Sequence, residues 1–138
     1  MASKTYLDVN IFIYWLTNHP EFGEIALSWV EKINDNPNEY MTSALTIYET
    51  SVIIAGLLGK TLKDTRLITQ LNEIFSELNN LKIIPLTSQQ LFEAPILMEK
   101  FNLDYEDAIH LNAALENDAI RIISNDKDFN KSPVIREF

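Results

Sequence analysis

The sequence predicts an α/β fold: a mainly parallel sheet of four or five strands with helices on both faces. Three observations predict it. Short β-favouring apolar runs alternate along the whole chain with longer segments of helical period, which is the pattern of βαβ units. No repeat, low-complexity stretch or long linker divides the 138 residues, so residues 1–138 are read as a single domain. Two of the strand-like runs end at or within two residues of an aspartate, Asp8 and Asp126. In an open parallel sheet the carboxyl ends of the strands form the ligand crevice.

Taken in order, Thr5-Tyr6-Leu7 reads as a first buried strand ending at Asp8, followed at once by an aromatic-rich helical run over residues 9–16. Residues 21–33 carry Phe22, Ile25, Ala26, Trp29, Val30 and Ile33 at helical spacing. Asn34-Asp35-Asn36-Pro37-Asn38 breaks that helix, and residues 39–42 form a second strand. Ser43 is a fitting N-cap for a largely apolar, buried helix over residues 44–58 that stops at Gly59. Residues 63–78 form an amphipathic helix through Leu67, Leu71, Ile74, Phe75 and Leu78, and residues 81–86 a third strand ended by Pro85. Ser88–Phe101 is a helix that Pro95 is expected to kink. A helix over Tyr105–Glu116, a strand over residues 121–124 and a short edge strand over residues 133–136 complete the chain.

Composition bounds the chemistry. The chain has no cysteine, which excludes disulfides and cysteine-ligated zinc. The N-terminal apolar run is interrupted by Asp8 and Asn10 and reads as no signal peptide. The longest uncharged helical run, residues 50–59, is too short for a bilayer, so a cytoplasmic, membrane-free protein is expected. The net charge of −9 argues against nucleic acid when taken alone, because phosphates are usually met by excess Lys and Arg. Bound divalent ions would reverse that field locally.

Four acids fall where solvation is not expected. Asp8 ends a strand, Glu49 interrupts an apolar helix, Asp107 precedes the small apolar Ala108-Ile109 and Ala113-Ala114, and Asp126 follows Ile122-Ile123. An unpaired buried charge costs several kcal/mol, so each must find a partner or take up a proton. Each also has a plain structural reading. Asp8 can shape a turn, Glu49 can be a half-exposed helix residue, Asp107 can cap its helix near Asp104, and Asp126 and Asp128 can shape the Ser124–Asp128 turn. The common sheet edge favours convergence, and the shortage of Lys and Arg nearby favours a cation to hold the group. Hard oxygen donors point to Mg²⁺ or Mn²⁺ rather than zinc. His110, three residues after Asp107 on a similar face, reads first as a packed, hydrogen-bonded histidine, with a place close to the site as the alternative. Lys60, Lys63 and Arg66 read as a solvated helix start with a polynucleotide contact as the alternative.

Tyr6-Leu7-Asp8-Val9-Asn10, the run from Thr42-Ser43 through Thr46 to Glu49, Tyr105-Glu106-Asp107-Ala108 with Ala113-Ala114, and Ser124-Asn125-Asp126-Lys127-Asp128-Phe129 together resemble the PIN-domain ribonucleases. More narrowly they resemble the toxin component of VapBC toxin–antitoxin pairs. The likeness runs through essentially the whole chain in order. It implies a three-layer α/β/α sandwich. It also implies Asp8, Glu49, Asp107 and Asp126 as metal-binding, catalytic acids, with Asn10, Ser124, Asp128 and Asp104 in support. Further implications are Mg²⁺ or Mn²⁺ as cofactor, RNA as substrate, a homodimer, and a small VapB-like antitoxin as partner. Three rival readings stand beside this one. A haloacid-dehalogenase-type phosphohydrolase would place a second Asp two residues after the first, where this chain has Asn10. A receiver domain would place an acidic neighbour beside Asp8. A PIN-like interaction module would keep the acids without the activity.

Overall fold

A computed structural model describes residues 3–138. Strand β1 (Thr5–Leu7) leads into α1 (Val9–Leu16) and α2 (Gly23–Asp35). Strand β2 (Tyr40–Ser43) leads into α3 (Ala44–Leu57) and α4 (Thr65–Glu77), and β3 (Leu81–Ile84) into α5 (Ser88–Phe101) and α6 (Tyr105–Glu116). Strand β4 (Arg121–Ile123), a 3-10 turn over Lys127–Lys131 and β5 (Ile135–Glu137) end the chain. The five strands lie in the order β3-β2-β1-β4-β5. Every pairing is parallel, with Thr5 opposite both Tyr40 and Arg121 and Leu7 opposite Ile123.

The three layers follow from the two-residue period of the strands. Tyr6, Met41 and Ile122 point to one face, where they pack under α5 and α6 with Ala108, Leu111 and Phe129. Leu7, Tyr40 and Ile123 point to the other, against Ile11, Phe12, Trp29, Ile33 and Phe75 of α1, α2 and α4. The central strands are buried on both sides, which is why they read as unbroken apolar runs. The fold is the parallel α/β/α sandwich expected from the residues.

Helix α5 spans Ser88–Phe101 with Pro95 inside it, as the sequence places it. One detail departs from expectation. Helix α3 is not buried as its apolar composition suggests. Its inward side is small and largely polar, with Thr46, Thr50 and Ser51 buried beside Ile54 and Ala55. Tyr48, Val52, Ile53 and Leu57 face outward, Tyr48 and Leu57 at 61% and 64% exposure. The inward hydroxyls are satisfied locally: Thr50 Oγ1 donates to the Thr46 carbonyl, Ser51 Oγ to the Ile47 carbonyl, and Thr42 Oγ1 lies 2.7 Å from Thr46 Oγ1. A hydroxyl that back-bonds to its own turn can be buried without an orphaned polar group. Close packing against α1 and α4 then selects the small side chains for the inside. Gly59, at φ 65°, takes the left-handed conformation just past the helix end, where a side chain would be strained.

Candidate metal centre

The parallel register assembles the site. Because Leu7 lies opposite Ile123, the next residues, Asp8 and Ser124, emerge side by side from the carboxyl ends of β1 and β4. Asp8 is 3% exposed and caps α1, its Oδ1 accepting from Val9 N at 2.8 Å. Its Oδ2 accepts from Ser124 Oγ at 2.6 Å and from Asn10 Nδ2 at 3.3 Å. Asn10 Nδ2 also reaches Ser124 Oγ at 3.2 Å, and Asn10 Oδ1 accepts from Asn125 N. Ser124 Oγ in turn accepts from Asp126 N at 3.0 Å. Asn10 and Ser124, two of the residues expected to support the site, thus belong to one hydrogen-bond network that ties the β1 end to the β4 end. Tyr14 extends it, its hydroxyl accepting from Asn125 Nδ2 at 3.0 Å.

Asp104 caps α6: its Oδ1 accepts from Asp107 N at 2.8 Å. That bond fixes where the helix starts and so where Asp107 points. Capping and site-building, set against each other for Asp107 on the sequence, are divided between two residues. Asp107 is 9% exposed, and its Oδ2 is buried with no hydrogen-bond partner among the described residues. One oxygen of each of Asp107, Asp126 and Asp128 lies within 4.8 Å of the others. Burial first, and then the charges of Asp126, Asp8 and Asp104, push the Asp107 carboxyl up to about 8. Without a cation this carboxyl therefore holds its proton at neutral pH, and a cation would displace it. An orphaned buried oxygen facing two further carboxylates, with no nitrogen or sulfur donor in the group, fits a hard divalent ion such as Mg²⁺ or Mn²⁺.

Glu49 is placed differently. Its Oε1 lies 2.5 Å from His110 Nε2, and it is not one of the three acids gathered around Asp107. Asp8 sits between the two groups, with Oδ1 3.9 Å from His110 Nε2. Burial alone would raise Glu49, but the hydrogen bonds from His110 and Glu106 and the His110 charge outweigh it and hold the group below its usual range. Glu106 is the mirror case, raised to about 7 by sharing a hydrogen bond with Glu49, by burial and by the Glu49 and Asp104 charges. Burial opposes charge on His110, yet Tyr6, Glu49 and Asp8 outweigh it and hold the ring well above its usual value. Burial likewise raises Asp8, against the His110 charge and the bonds from Ser124 and Val9. The acids thus do not lack a basic partner altogether: His110 supplies one to Glu49 and Asp8, and Lys131 Nζ lies 3.3 Å from Asp128 Oδ1 at the exposed side. His110 is packed and hydrogen-bonded, the first of the two readings its sequence position allows, and one of its partners is the candidate acid Glu49.

Sequence reasoning missed Glu106 and Tyr6. Glu106 adjoins Asp107 and reads as a solvated first-turn acid. Tyr6 is a tyrosine in the middle of a fully buried strand, and its hydroxyl, needing a partner there, was the available signal. Of the basic residues after Gly59, Lys60 is engaged with Asp64 at 3.1 Å. No helix among the described residues is long and apolar enough to cross a membrane.

The family described as PIN domain matches residues 5–134. The chain belongs to the PIN domain family. Several solved structures superpose along nearly its whole length. The sarcin-ricin loop cleaving toxin VapC20 of Mycobacterium tuberculosis does so with a TM-score of 0.75 at 14% identity, over 96% of this chain and 97% of that one. VapBC2 of Rickettsia felis, solved on a DNA fragment from its promoter, matches at a TM-score of 0.65 and 19% identity over 96% of each chain. A toxin–antitoxin complex from Klebsiella pneumoniae matches at 0.63 and 22% identity over 94% of this chain and 93% of that one. At these identities the likeness establishes the PIN fold. No curated protein sequence matches the chain at a significant level.

Proposed function

We propose that this PIN-domain chain is a Mg²⁺- or Mn²⁺-dependent endoribonuclease and the toxin of a toxin–antitoxin pair. The observation that carries the reading is the buried, unpartnered Asp107 Oδ2 beside Asp126 and Asp128 at the carboxyl edge of a parallel sheet. Structural acids have no reason to leave an oxygen orphaned in company with two like charges. Asp107 and Asp126, with Asp128 at the open side and Asp8 behind, would hold the cation, and Glu49 stands at the rim. A bound divalent ion supplies Lewis acidity and a lowered water pKa. The residues supply the rest. Ser124, Asn10 and Asp104 keep the carboxylates oriented before substrate arrives, and Glu49, held ionised, is the rim acceptor for the proton lost by an attacking water. In-line attack at phosphorus would leave 5′-phosphate and 3′-hydroxyl ends.

The outward apolar side of α3 supports a protein partner. Ala44, Ile47, Tyr48 and Leu62 with Ile68 of α4 line a groove of about 430 Å³. A VapB-like antitoxin segment laid there would cover apolar surface that water now meets. Phe92 and Ile96 on α5, 80% and 66% exposed, support a homodimer.

The deciding experiment incubates purified protein with single-stranded RNA and with DNA of the same sequence, adding Mn²⁺, Mg²⁺ or EDTA. Cleavage of RNA that requires the metal, stops with EDTA and is lost in Asp107→Asn is expected. Metal-independent cleavage, or no cleavage of RNA at any metal concentration, sinks the proposal.

A further inference from the structure

Tyr6, His110 and Glu49 form one chain of contacts from the middle of the sheet to the rim of the site. Tyr6 Oη lies 2.6 Å from His110 Nδ1, and His110 Nε2 lies 2.5 Å from Glu49 Oε1. Tyr6 is 0% and His110 1% exposed, and their rings meet edge to face at 5.7 Å between centroids. Tyr6 belongs to β1, hydrogen-bonded between β2 and β4, and has no room to move.

The partners determine where the ring carries its hydrogen. An ionised carboxylate can only accept, so Nε2 must donate to Glu49. A tyrosine hydroxyl can donate or accept, so Nδ1 is satisfied by Tyr6 whether or not it bears a proton. The Nε2–H to Glu49 bond is therefore present in either state of the ring. Asp8 Oδ1, at 3.9 Å, is too far to compete for that hydrogen.

Glu49 comes from α3, a helix separate from the one that carries Asp107, and a glutamate side chain has three rotatable bonds with which to wander. We propose that His110 is a positioning residue that pins one oxygen of Glu49 and so fixes this acid at the rim, while Tyr6 fixes the His110 ring. Glu49 then offers only its second oxygen to Glu106 and to the cavity of about 170 Å³ that it lines with Tyr48, Val52, Ile53 and Glu106. It is also kept off the Asp107–Asp126–Asp128 group. The kinetic part of this proposal rests on the nuclease reading above, and the spectroscopic part does not.

The test uses the full chain with ¹⁵N-labelled histidine. A His110 Nε2–H signal that exchanges slowly with water is expected, together with ring shifts that move in both Glu49→Gln and Tyr6→Phe. In Mn²⁺-dependent RNA cleavage, His110→Leu is expected to lower kcat by about 10- to 100-fold with KM within about twofold, as for a lost outer-shell partner. His110→Gln, whose amide can donate in place of Nε2, is expected to restore most of kcat, which a purely packing role would not do. A ring whose signals ignore both Glu49→Gln and Tyr6→Phe overturns the proposal, as does wild-type kcat in a folded His110→Leu. If His110→Leu does not fold, the Tyr6→Phe shifts and the His110→Gln kinetics decide it. If the wild-type chain cuts no RNA, the nuclease reading fails, and the ring signals still decide the role of His110.

Discussion

Ser124 Oγ donates to Asp8 Oδ2 at 2.6 Å, joining residues 116 positions apart in the chain. The bond exists because β1 and β4 pair in parallel with Leu7 opposite Ile123, so that both strands end at the same level. Ser124→Ala removes the shortest donor to a buried carboxylate and an acceptor for Asp126 N. Loss of about 1–3 kcal/mol of stability is expected in urea denaturation, together with slower metal-dependent cleavage. An unchanged urea midpoint would show that Asn10 alone satisfies Asp8 Oδ2.

Asp107→Asn separates the demands of folding from those of the site. Without a cation the Asp107 carboxyl already holds its proton, and an amide keeps this position uncharged at every pH, so the variant in EDTA is expected to melt at or above the wild-type temperature. Cleavage is expected to fall by at least about 10²-fold, as when one electrostatic contributor is removed from a preorganised site. The same melts with added Mn²⁺ check the origin of the loss: the wild type is stabilised by the ion and the variant much less so.

The raised Asp107 carboxyl sets a pH dependence whose sign can be worked out. Its pKa is about 8 in the folded, metal-free protein against 3.8 for the ordinary group. The folded state thus binds the extra proton, and the stability this confers is full below the ordinary value and lost as pH rises towards 8. Cation binding must expel that proton. Mn²⁺ affinity is therefore expected to climb by up to about tenfold per pH unit through neutrality and level off near pH 8. Calorimetry in buffers of different ionisation enthalpy should register close to one proton released per ion at pH 6.5. No proton release would show that Asp107 is already ionised.

Asp104→Ala should act through the helix rather than on the cation directly. Its carboxylate accepts the Asp107 N–H at the start of α6. Loss of that cap is expected to cost about 1 kcal/mol in urea denaturation, with a smaller loss of cleavage than Asp107→Asn causes.

The outward face of α3 gives a test of the partner. Tyr48 and Leu62, which line the groove, are 61% and 46% exposed, so Tyr48→Glu and Leu62→Glu disturb little packing, and an unchanged circular dichroism melt is expected. Co-expression with the product of the adjacent gene should yield a complex with the wild-type chain and a weakened one with Tyr48→Glu and Leu62→Glu together. Equal recovery of both complexes would place the partner elsewhere.

Much of this molecule can be read from its residues one stretch at a time. Thr5-Tyr6-Leu7 is β-branched and aromatic, Ser43 and Asp104 stand just before helical runs, and Tyr105–Glu116 and Ser88–Phe101 match the structure at both ends. Such features depend on local period and capping, which are properties of neighbouring residues. The acids were legible for a related reason, since a carboxylate among apolar neighbours is conspicuous wherever it falls. What α3 buries was not legible. Its apolar composition points inward, yet hydroxyls that bond to their own turn make Thr46, Thr50 and Ser51 the better inner face.

The sequence by itself determined the element order, the parallel α/β class and the list of candidate acids, because these follow from side-chain period, turn chemistry and the cost of an isolated charge. Only the tertiary structure decided how the acids divide: Asp107, Asp126 and Asp128 together, Glu49 held by His110, and Asp8 between them. That division depends on distances of a few ångströms between groups from separate strands and helices, and on a tyrosine hydroxyl reaching a histidine 104 positions away. Coulomb and hydrogen-bond energies change steeply over such distances, and spacing along the chain does not encode them.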